Sequence, residues 1–477
     1  MHLDSLPSRA AADLPLPTGL WATVRAGIRG TRIDYTTAPV GQAVIMLAVP
    51  MVMEMAMESI FAVADVFWVA HLGADAVATV GLTESMMTMI YTAALGLSIG
   101  ATALVARRTG EHDPEGAARA AGQSILLGLA VASAIGLIAA PFAPSLLRIM
   151  GATDDVVRGG SGFTRTMLGG NATVLLLFLQ NAVFRGAGDA AIAMRVLVIG
   201  NLLNIVLGPC FIFGLGPFPR LGVTGAAVAT NLGRGTAVLY QFALLIRGSG
   251  RVRVTARHLR LDVSVMRSVL KLSGSGTFQI LIGTASYIGL VRILSTFGSA
   301  ALAGYTIGIR VILFALLPAF GISNAAATMV GQNLGAKRPD RAESAVWTAS
   351  RYNMAFLGVV GVVFLLAAPQ IARLFTDDVA VQPFAIGCLR TVSLGFLFYA
   401  AGMVLTSAFN GAGDTWTPTL INLGVFWLFE IPLAWWLATR TPLGAWGVFW
   451  ALTMAYSALA VVSAWLFRRG TWKARKI

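Results

Sequence analysis

The sequence predicts an all-α polytopic membrane protein with twelve transmembrane helices in two homologous six-helix lobes, related by a pseudo-two-fold axis along the membrane normal. Three observations predict this architecture. The 477 residues are 57% hydrophobic and only 12% charged, which is far from the composition of a soluble protein. Apolar segments long enough to span a bilayer recur along the chain. The two halves of the chain also repeat each other at a constant offset.

Residues 1–38 are interpreted as a cytoplasmic N-terminal arm, because they contain no apolar stretch of the secretory type. Within this arm, Leu20, Trp21, Val24 and Ile28 recur at helical spacing opposite several arginines. This pattern is typical of a short helix that lies on an anionic membrane surface. A disordered tail is the alternative interpretation of the same segment.

Twelve apolar segments follow the arm, and several are longer than a bilayer requires, which indicates tilt or extension into water. The predicted organisation is an N-lobe (39–246), a basic cytoplasmic linker (247–266), a C-lobe (267–467) and a basic cytoplasmic tail (468–477). The predicted spans are 40–70, 76–106, 117–142, 155–183, 192–214, 222–246, 267–294, 300–334, 343–368, 380–408, 415–438 and 445–467.

The distribution of lysine and arginine predicts the orientation in the membrane. With both termini in the cytoplasm, 25 of the 35 basic residues fall in cytoplasmic segments and 7 on the opposite side. The remaining three, Arg234, Arg292 and Arg310, fall in the spans. Cytoplasmic loops carry such an excess of positive charge, so we expect a multi-pass protein of the cytoplasmic (inner) membrane. The net charge of +14 is therefore explained by topology, and no nucleic-acid partner is expected.

The internal repeat has an offset of 225 residues. Residues 72–117 align without a gap on residues 297–342, and the alignment pairs Gly96 with Gly321. Each half holds six spans, and because six is even, both halves enter the membrane in the same orientation. Two lobes joined by a linker, with a cleft between them, are the architecture that alternating access requires. The repeat therefore favours a secondary transporter over a channel.

Five carboxylates lie inside the predicted spans, where each charge costs at least about 2.5 kcal/mol. Glu54, Glu58 and Asp65 are on the first span, Glu84 is on the second, and Glu430 is on the eleventh. On a helix, the three acids of the first span project within about 40° of one another and share one stripe. Acids so close together titrate as a coupled set. Such a stripe is suited to taking up a proton or cation on one side of the membrane and releasing it on the other.

Other roles are open for three of these acids. Glu54 and Glu58 either line a wet cavity or pair with a base of the opposite lobe such as Arg292 or Arg310. Glu430 is either a second coupling site or half of a structural ion pair.

Asp65 is better placed for function, because Pro50 lies fifteen residues before it and removes a backbone hydrogen bond, so that the helix can bend. If this helix bends, protonation of Asp65 would be coupled to the shape of the helix. The candidate residues of the substrate cavity are Glu54, Glu58, Asp65 and Glu430.

The sequence contains no motif for an ATP-driven module, since G-x-x-x-x-G-K-[ST] is absent. We expect the energy to come from an ion gradient or a partner chain. No histidine falls at membrane depth, so hydrolytic chemistry is not indicated, and an intramembrane enzyme is the alternative from a different class. Cys210 and Cys388 lie in apolar runs, which argues against disulfides and zinc. No cofactor is expected beyond a coupling cation, H⁺ or Na⁺.

Five short stretches carry a recognisable pattern when they are taken together. They are Ala48-Val49-Pro50 and Val63-Ala64-Asp65-Val66-Phe67-Trp68-Val69-Ala70-His71-Leu72-Gly73 in the first span, Phe184-Arg185-Gly186-Ala187-Gly188-Asp189 after the fourth, Asn204-Ile205-Val206-Leu207-Gly208-Pro209 in the fifth and Gly222-Val223-Thr224-Gly225-Ala226-Ala227 at the start of the sixth. Over about residues 39–467 the chain resembles the multidrug and toxic compound extrusion (MATE) family of cation-coupled antiporters. The resemblance implies a V-shaped pair of six-helix lobes. It also implies export of amphipathic, often cationic, drugs and toxins in exchange for sodium ions or protons.

In prokaryotic MATE proteins similar to this chain, an acid on the first helix, bent at a proline, forms an ion site in the N-lobe. Asp65 and Pro50 match these positions. The polar partners on the fifth and sixth helices match Asn204 and Thr230. The resemblance therefore implies an ion-coupling or proton-coupling site, with any sodium ion bound at Asp65, Asn204 and Thr230.

One position departs from the family pattern. Similar proteins carry a second aspartate four residues after the asparagine of the fifth helix, whereas this chain has Gly208. A sodium site loses a ligand and a charge there, which favours protons as the coupling ion or a substitute acid, Glu58 or Glu84. The acid that some relatives carry on the seventh helix is also absent, so Glu430 is the only membrane acid of the C-lobe.

A related exporter, a flippase for a lipid-linked sugar or cell-wall precursor, is the alternative within the same superfamily. Its cavity is expected to be strongly cationic, because the cargo carries a pyrophosphate. Here the five membrane acids outnumber the three membrane bases, which favours a cationic cargo. The expected partners are amphipathic small molecules and the lipid bilayer, and the protein is expected to be a monomer.

Overall fold

The computed structural model describes residues 18–477, apart from the side chains of Val63 and Val66. The first 17 residues of the predicted N-terminal arm lie outside this part of the chain. The described residues form seventeen α-helices and no β-strand. The helices are α1 (Leu20–Arg29), α2 (Val40–Ala70), α3 (Ala74–Gly110), α4 (Pro114–Ala139), α5 (Ala143–Ile149), α6 (Asp154–Gly169), α7 (Asn171–Ala187), α8 (Ala190–Phe213), α9 (Val223–Arg247), α10 (Val263–Leu294), α11 (Ser299–Gly335), α12 (Pro339–Arg373), α13 (Gln382–Ser393), α14 (Phe396–Gly411), α15 (Trp416–Asn422), α16 (Ile431–Arg440) and α17 (Ala445–Arg468).

The predicted all-α membrane fold is confirmed, and each of the twelve predicted spans has a helical counterpart in the described chain. Ten helical segments are long and apolar enough to cross a membrane. The pair α13 and α14, bent by 58°, makes an eleventh if the two helices are one broken span. The remaining predicted span corresponds to α9, whose 25 residues include the polar residues Thr230, Asn231 and Arg234. These polar residues lower the hydropathy of α9, and two of them belong to the site described below.

The duplication is visible in the backbone as well as in the sequence. The turn between α3 and α4 contains His112 at φ 55°, and the turn between α11 and α12 contains Lys337 at φ 57°. The two residues are 225 positions apart, and non-glycine residues adopt this left-handed conformation rarely. Gly73 and Gly298, which the repeat also pairs, have φ values of 98° and 95°. The two halves therefore make the same turns at the same places.

The two lobes cross at a pair of repeat-related glycines. A Cβ atom at Gly96 of α3 would lie 2.5 Å from the Cα of Thr277 in α10. A Cβ atom at Gly321 of α11 would lie 2.7 Å from the carbonyl carbon of Met51 in α2. Each lobe therefore places a side-chain-free surface of its second span against the first span of the other lobe, as a two-fold relation requires.

One end of the lobe interface is closed. We call it the basic end, because it contains the loops around Arg107, Arg251 and Arg338 and the C-terminal tail. Here a Cβ at Gly110 of α3 would lie 2.6 Å from the carbonyl carbon of Gln332 in α11. The Arg107 guanidinium donates to the carbonyl oxygen of Arg475 in the tail at 2.7 Å, and the Arg475 guanidinium pairs with Asp414 of the C-lobe at 3.0 Å. The tail thus ties α3 to the C-lobe.

The other end of the interface is open. On a helix, residues seven and eleven positions before a given residue lie on the same face. Ser85 and Met89 are therefore on the face of α3 that carries Gly96, yet both are exposed, Met89 by 75%. Arg310 and Phe314 stand in the same relation to Gly321 on α11 and are also exposed. The two lobes therefore separate beyond their crossing and leave a cleft between them.

The N-terminal helix α1 packs on the first span of the N-lobe. Thr23 and Gly27 are buried, and a Cβ at Gly27 would lie 3.2 Å from the Cα of Met46 in α2. Leu20 and Trp21 are 69% and 79% exposed. Part of the predicted arm is thus helical, and its position on a membrane surface stays a prediction.

Candidate ion-coupling site in the N-lobe

The acids of the first span face the interior of the N-lobe. Pro50 lies within α2, which continues as one helix from Val40 to Ala70. Glu54, Glu58 and Asp65 follow on its later turns; Glu54 contacts α7, Glu58 contacts α8 and α9, and Asp65 forms no hydrogen bond or ion pair within the described chain. The predicted stripe therefore exists, but its three carboxylates have different surroundings.

Glu54 belongs to a buried polar cluster. Its side chain is 1% exposed, and its Oε1 atom accepts hydrogen bonds at 3.0 Å from both Asn181 and Arg185 of α7. Gln241 of α9 donates to the Asn181 oxygen at 2.6 Å. Within residues 18–477, Oε2 of Glu54 has no hydrogen-bond partner. A buried carboxylate requires a partner of this kind, so Glu54 joins α2 to α7 and is not open to a cavity.

Glu58 pairs with a base at the centre of the lobe. The Arg234 guanidinium of α9 lies 3.0 Å from Oε1 of Glu58, and Asn201 of α8 donates to Oε2 at 3.2 Å. Arg234 also donates to the hydroxyl of Tyr91 at 3.1 Å, and its guanidinium carbon lies 5.2 Å from the centre of the Phe61 ring. Four helices therefore meet at one guanidinium, which two aromatic rings shield from water.

Asp65 and Glu84 share the same base at longer range. Asp65 is partly buried and lies within electrostatic range of Glu84 and Arg234. Glu84 of α3 is exposed and interacts with Arg234 and Glu58. Three carboxylates thus interact electrostatically with a single guanidinium, and only Glu58 is in direct contact with it. If all three were ionised, this region would carry net negative charge, and proton or cation binding would relieve it.

The polar pair of the fifth and sixth spans is present. The Asn204 amide donates to the hydroxyl of Thr230 at 2.9 Å, and both residues are 4% exposed. At Gly208, one turn further along α8, an added Cβ would have its nearest contact at 3.7 Å, with Trp68 of α2. This is an ordinary van der Waals distance, so the missing aspartate is not excluded by packing.

Glu430 occupies a different environment in the C-lobe. It is 1% exposed and ends a π-helical segment, Leu423–Glu430, which precedes Pro432 in α16. A proline at this point removes one backbone donor, which fits the widened helix before it. No ion pair of the described chain includes Glu430, and its Oε1 atom has no hydrogen-bond partner there. The ionisable side chains around it are Tyr287, Tyr305, Tyr399 and Tyr456.

The pairing of acids and bases differs from the alternatives that the sequence suggested. Glu54 and Glu58 do pair with arginines, but the partners are Arg185 and Arg234 of their own lobe, not Arg292 or Arg310. Arg185 was assigned to a loop, whereas it lies in α7 and is buried. The structural ion pair suggested for Glu430 is not formed in the described part of the chain.

Sequence reasoning missed several polar members of the site. Asn201 lies three residues before Asn204 on α8, and this spacing places two amides on one helix face. Arg234 was recognised as an intramembrane base but not as the partner of the acids. The acids of the first span were expected to pair with bases of the opposite lobe, whereas Arg234 lies in the same lobe as Glu58.

Known proteins resemble the chain over nearly its whole length. The MatE family model matches twice, at residues 50–210 and 277–436. The probable multidrug resistance protein NorM of Thermotoga maritima is 26% identical over 437 residues, which cover 91% of this chain and 93% of that protein. The protein of the same name from Pseudomonas aeruginosa is 28% identical over 458 residues, with coverages of 91% and 90%. A solved structure described as the outward-facing conformation of a multidrug resistance MATE family transporter matches with a TM-score of 0.86 at 27% identity, covering 92% of this chain and 98% of that chain.

Proposed function

The chain belongs to the MatE family, and from this premise we propose that it is a secondary antiporter that exports amphipathic, cationic drugs or toxins in exchange for protons. The observation that carries the proposal is the group of three carboxylates, Glu58, Asp65 and Glu84, around the single guanidinium of Arg234. Such a group binds and releases positive charge readily, because one base balances only one of its acids.

Alternating access is the transport mechanism that the two lobes support. Both lobes close against each other at the basic end and separate beyond Gly96 and Gly321. By the positive-inside rule, the basic end and both termini lie in the cytoplasm, so this conformation opens away from the cytoplasm. The similar solved structure described as outward-facing supports the same orientation. Both lobes come from one chain, so we propose that the transporter acts as a monomer.

The position of Glu84 suggests how ion binding is linked to cargo binding. Glu84 is exposed on the same turn of α3 as Ser85, which faces the cleft, and it also interacts with Arg234 and Glu58 of the N-lobe. A cationic cargo in the cleft and a proton in the lobe therefore compete for the same negative charge. This competition is the physical basis of exchange, because a bound proton lowers the affinity for the cationic cargo.

Protons are favoured over sodium as the coupling ion. A sodium ion is held by several oxygen ligands, and Gly208 contributes no side-chain oxygen at the position where similar proteins carry an aspartate. Arg234 also places a fixed positive charge next to Glu58, which opposes binding of a second cation there. A proton needs only one acceptor and is affected less by both features.

Transport in proteoliposomes tests the proposal. A fluorescent cationic drug is followed under an imposed pH gradient and, separately, under a sodium gradient, with the native chain and Asp65→Asn. We expect uptake driven by the pH gradient in the native chain and a loss of at least about tenfold in Asp65→Asn. Asp75→Asn, which neutralises an exposed acid in the first turn of α3, is the matched control and should transport at the native rate.

Two outcomes would contradict the proposal. A response to the sodium gradient alone would assign sodium as the coupling ion. Drug movement that ignored both gradients and was unchanged in Asp65→Asn would exclude antiport through this site. In that case a lipid-scrambling assay with a pyrophosphate-linked lipid would test the flippase alternative.

A further inference from the structure

A second charged cavity lies outside the N-lobe interior, at the basic end. It has a volume of about 220 Å³ and lies between the end of α1, the turn from α7 to α8 and the segment after α9. Among the described residues that line it, four are arginines and one, Asp189, is an acid. The arginines are Arg29, Arg32, Arg195 and Arg251. The transport mechanism above uses none of them.

The walls of the cavity are held together by the arginines themselves. Arg195 donates to the carbonyl oxygen of Arg29 at 2.7 Å, and Arg32 donates to that of Ser249 at 2.7 Å. Arg251 donates to the carbonyl oxygen of Ile33 at 2.6 Å. Each of these bonds uses one nitrogen of the guanidinium. Because a guanidinium carries five N–H donors, most of the donors stay available for a ligand.

Gly30 allows this close arrangement. It ends α1 in the left-handed conformation at φ 70°, and an added Cβ would lie 2.8 Å from Nη2 of Arg195. Any side chain at this position would displace the Arg195 guanidinium. The chain therefore turns away from α1 in a way that leaves the arginine against the cavity.

The positive charge in the cavity exceeds the negative charge that residues 18–477 place there. Arg251 lies 3.5 Å from the Asp189 carboxylate, whose other oxygen accepts from the Arg251 backbone amide at 2.5 Å. Within residues 18–477, Arg29, Arg32 and Arg195 form no ion pair, and the Arg29 side chain forms no hydrogen bond either. Four arginines thus line a cavity that contains one described carboxylate, and that carboxylate interacts directly with Arg251 and at longer range with Arg32. Multidentate N–H donors of this kind match the oxygens of a phosphate group.

The location indicates where the phosphate comes from. The cavity lies at the end of α1, whose exposed Leu20 and Trp21 suit burial in the interfacial region of a bilayer. Met46 of α2 is an apolar residue of the cavity lining. A ligand with a phosphate at one end and acyl chains at the other could bind the guanidinium groups of the cavity with its phosphate. Its acyl chains would then lie along the apolar side of α1.

We propose that this cavity binds the phosphodiester headgroup of an anionic phospholipid of the cytoplasmic leaflet. Basic pockets on this side of membrane proteins have the charge and depth that such headgroups require. Bound there, the headgroup joins α1, the start of α8 and the linker after α9 into one unit. The site is separate from ion coupling, so it can be tested whether or not the antiport mechanism holds.

Native mass spectrometry of the delipidated full chain tests the proposal. The protein is titrated in detergent with phosphatidylglycerol and, in parallel, with phosphatidylcholine of the same acyl chains. We expect one phosphatidylglycerol to bind at least tenfold more tightly than phosphatidylcholine. Arg29→Gln should weaken this binding at least fivefold, and Arg29→Lys, which keeps the charge but loses the planar donors, by a smaller factor.

Arg25→Gln is the matched control, because Arg25 is exposed one turn earlier on α1 and does not line the cavity. It should change the affinity by less than twofold. Equal losses in Arg25→Gln and Arg29→Gln would show diffuse surface attraction and overturn the site. Equal affinity for the two lipids would also overturn it. If inorganic phosphate at millimolar concentration displaced the lipid, the cavity would be a phosphate site. The assignment to a lipid would then be wrong.

Discussion

The N-lobe and the C-lobe share one arrangement of helices but differ in whether their membrane acids form ion pairs. In the N-lobe, Glu54 and Glu58 are each matched by an arginine 3.0 Å away. In the C-lobe, Glu430 is buried among tyrosines and forms no ion pair in the described chain. The turns and the crossing glycines were kept in both copies, whereas the charges were not. Duplication therefore preserved the turns and the crossing of the lobes, whereas within the described chain the ion pairs of the membrane acids lie in the N-lobe.

The largest expected effect comes from removing the central base of the N-lobe. Arg234→Leu leaves the half-buried carboxylate of Glu58 without its charged partner, with only the hydrogen bond from Asn201. Breaking a buried ion pair in this way costs about 3–5 kcal/mol. We expect a large fall in the unfolding temperature in detergent and no coupled transport.

Two variants sharpen this result. Adding Glu58→Gln to Arg234→Leu removes the unpaired charge and should recover part of the lost stability. In the C-lobe, Arg310→Leu removes an exposed arginine and should change stability by no more than about 0.5 kcal/mol. Equal destabilisation by Arg234→Leu and Arg310→Leu would remove the distinction between the lobes.

A second comparison concerns the buried acids themselves. Glu54→Gln keeps the shape but weakens two hydrogen bonds that involve the carboxylate, at an expected cost of about 1.5–3 kcal/mol. Glu430→Gln removes no ion pair, so its cost should be below about 1 kcal/mol. Unfolding temperatures of the two variants, measured side by side, check this order. A reversed order would mean that Glu430 has an essential partner.

The crossing glycines provide a test in which the two lobes should behave alike. Gly96→Ala and Gly321→Ala each place a methyl group against the backbone of the other lobe, and overpacking of this kind costs about 1–3 kcal/mol. We expect similar losses of transport in both variants and a wider basic end, measured by spin-label distances across the interface. Gly81→Ala on α3, where no atom lies within 4 Å of the added Cβ, should be harmless. A strong effect of only one crossing variant would contradict a two-fold mechanism.

The smallest structural change is expected at Gly208. Gly208→Asp adds a carboxylate one turn after Asn204, where space is available beside Trp68. Transport driven by a sodium gradient should rise several-fold over the native chain. Gly208→Ala fills the same space without charge and should show no sodium response. The absence of any sodium response in Gly208→Asp would show that this position does not select the ion.

Much of the fold was predictable because its determinants are local or repetitive. Twelve apolar segments, the offset of 225 residues and the stripe of Glu54, Glu58 and Asp65 all follow from periodicity along the chain. The resemblance implied that Asn204 and Thr230 join Asp65 in an ion site; the structure shows a hydrogen bond between Asn204 and Thr230, and the shared site with Asp65 stays a prediction. The bend between α13 and α14 and the π-helical segment before Pro432 were not predicted, since local sequence does not determine how a helix is interrupted when neighbouring helices pack against it.

The sequence by itself determined that the chain spans a membrane, that it is duplicated and that acids occur at membrane depth in its first span. Only the tertiary structure decided which bases meet those acids. Arg185 and Arg234 lie 131 and 176 residues from their partners, and helix packing alone brings such distant groups within 3.0 Å. The tertiary structure also decided which end of the interface is closed, because a cleft depends on the angle between two lobes, and no residue pattern within either lobe encodes that angle.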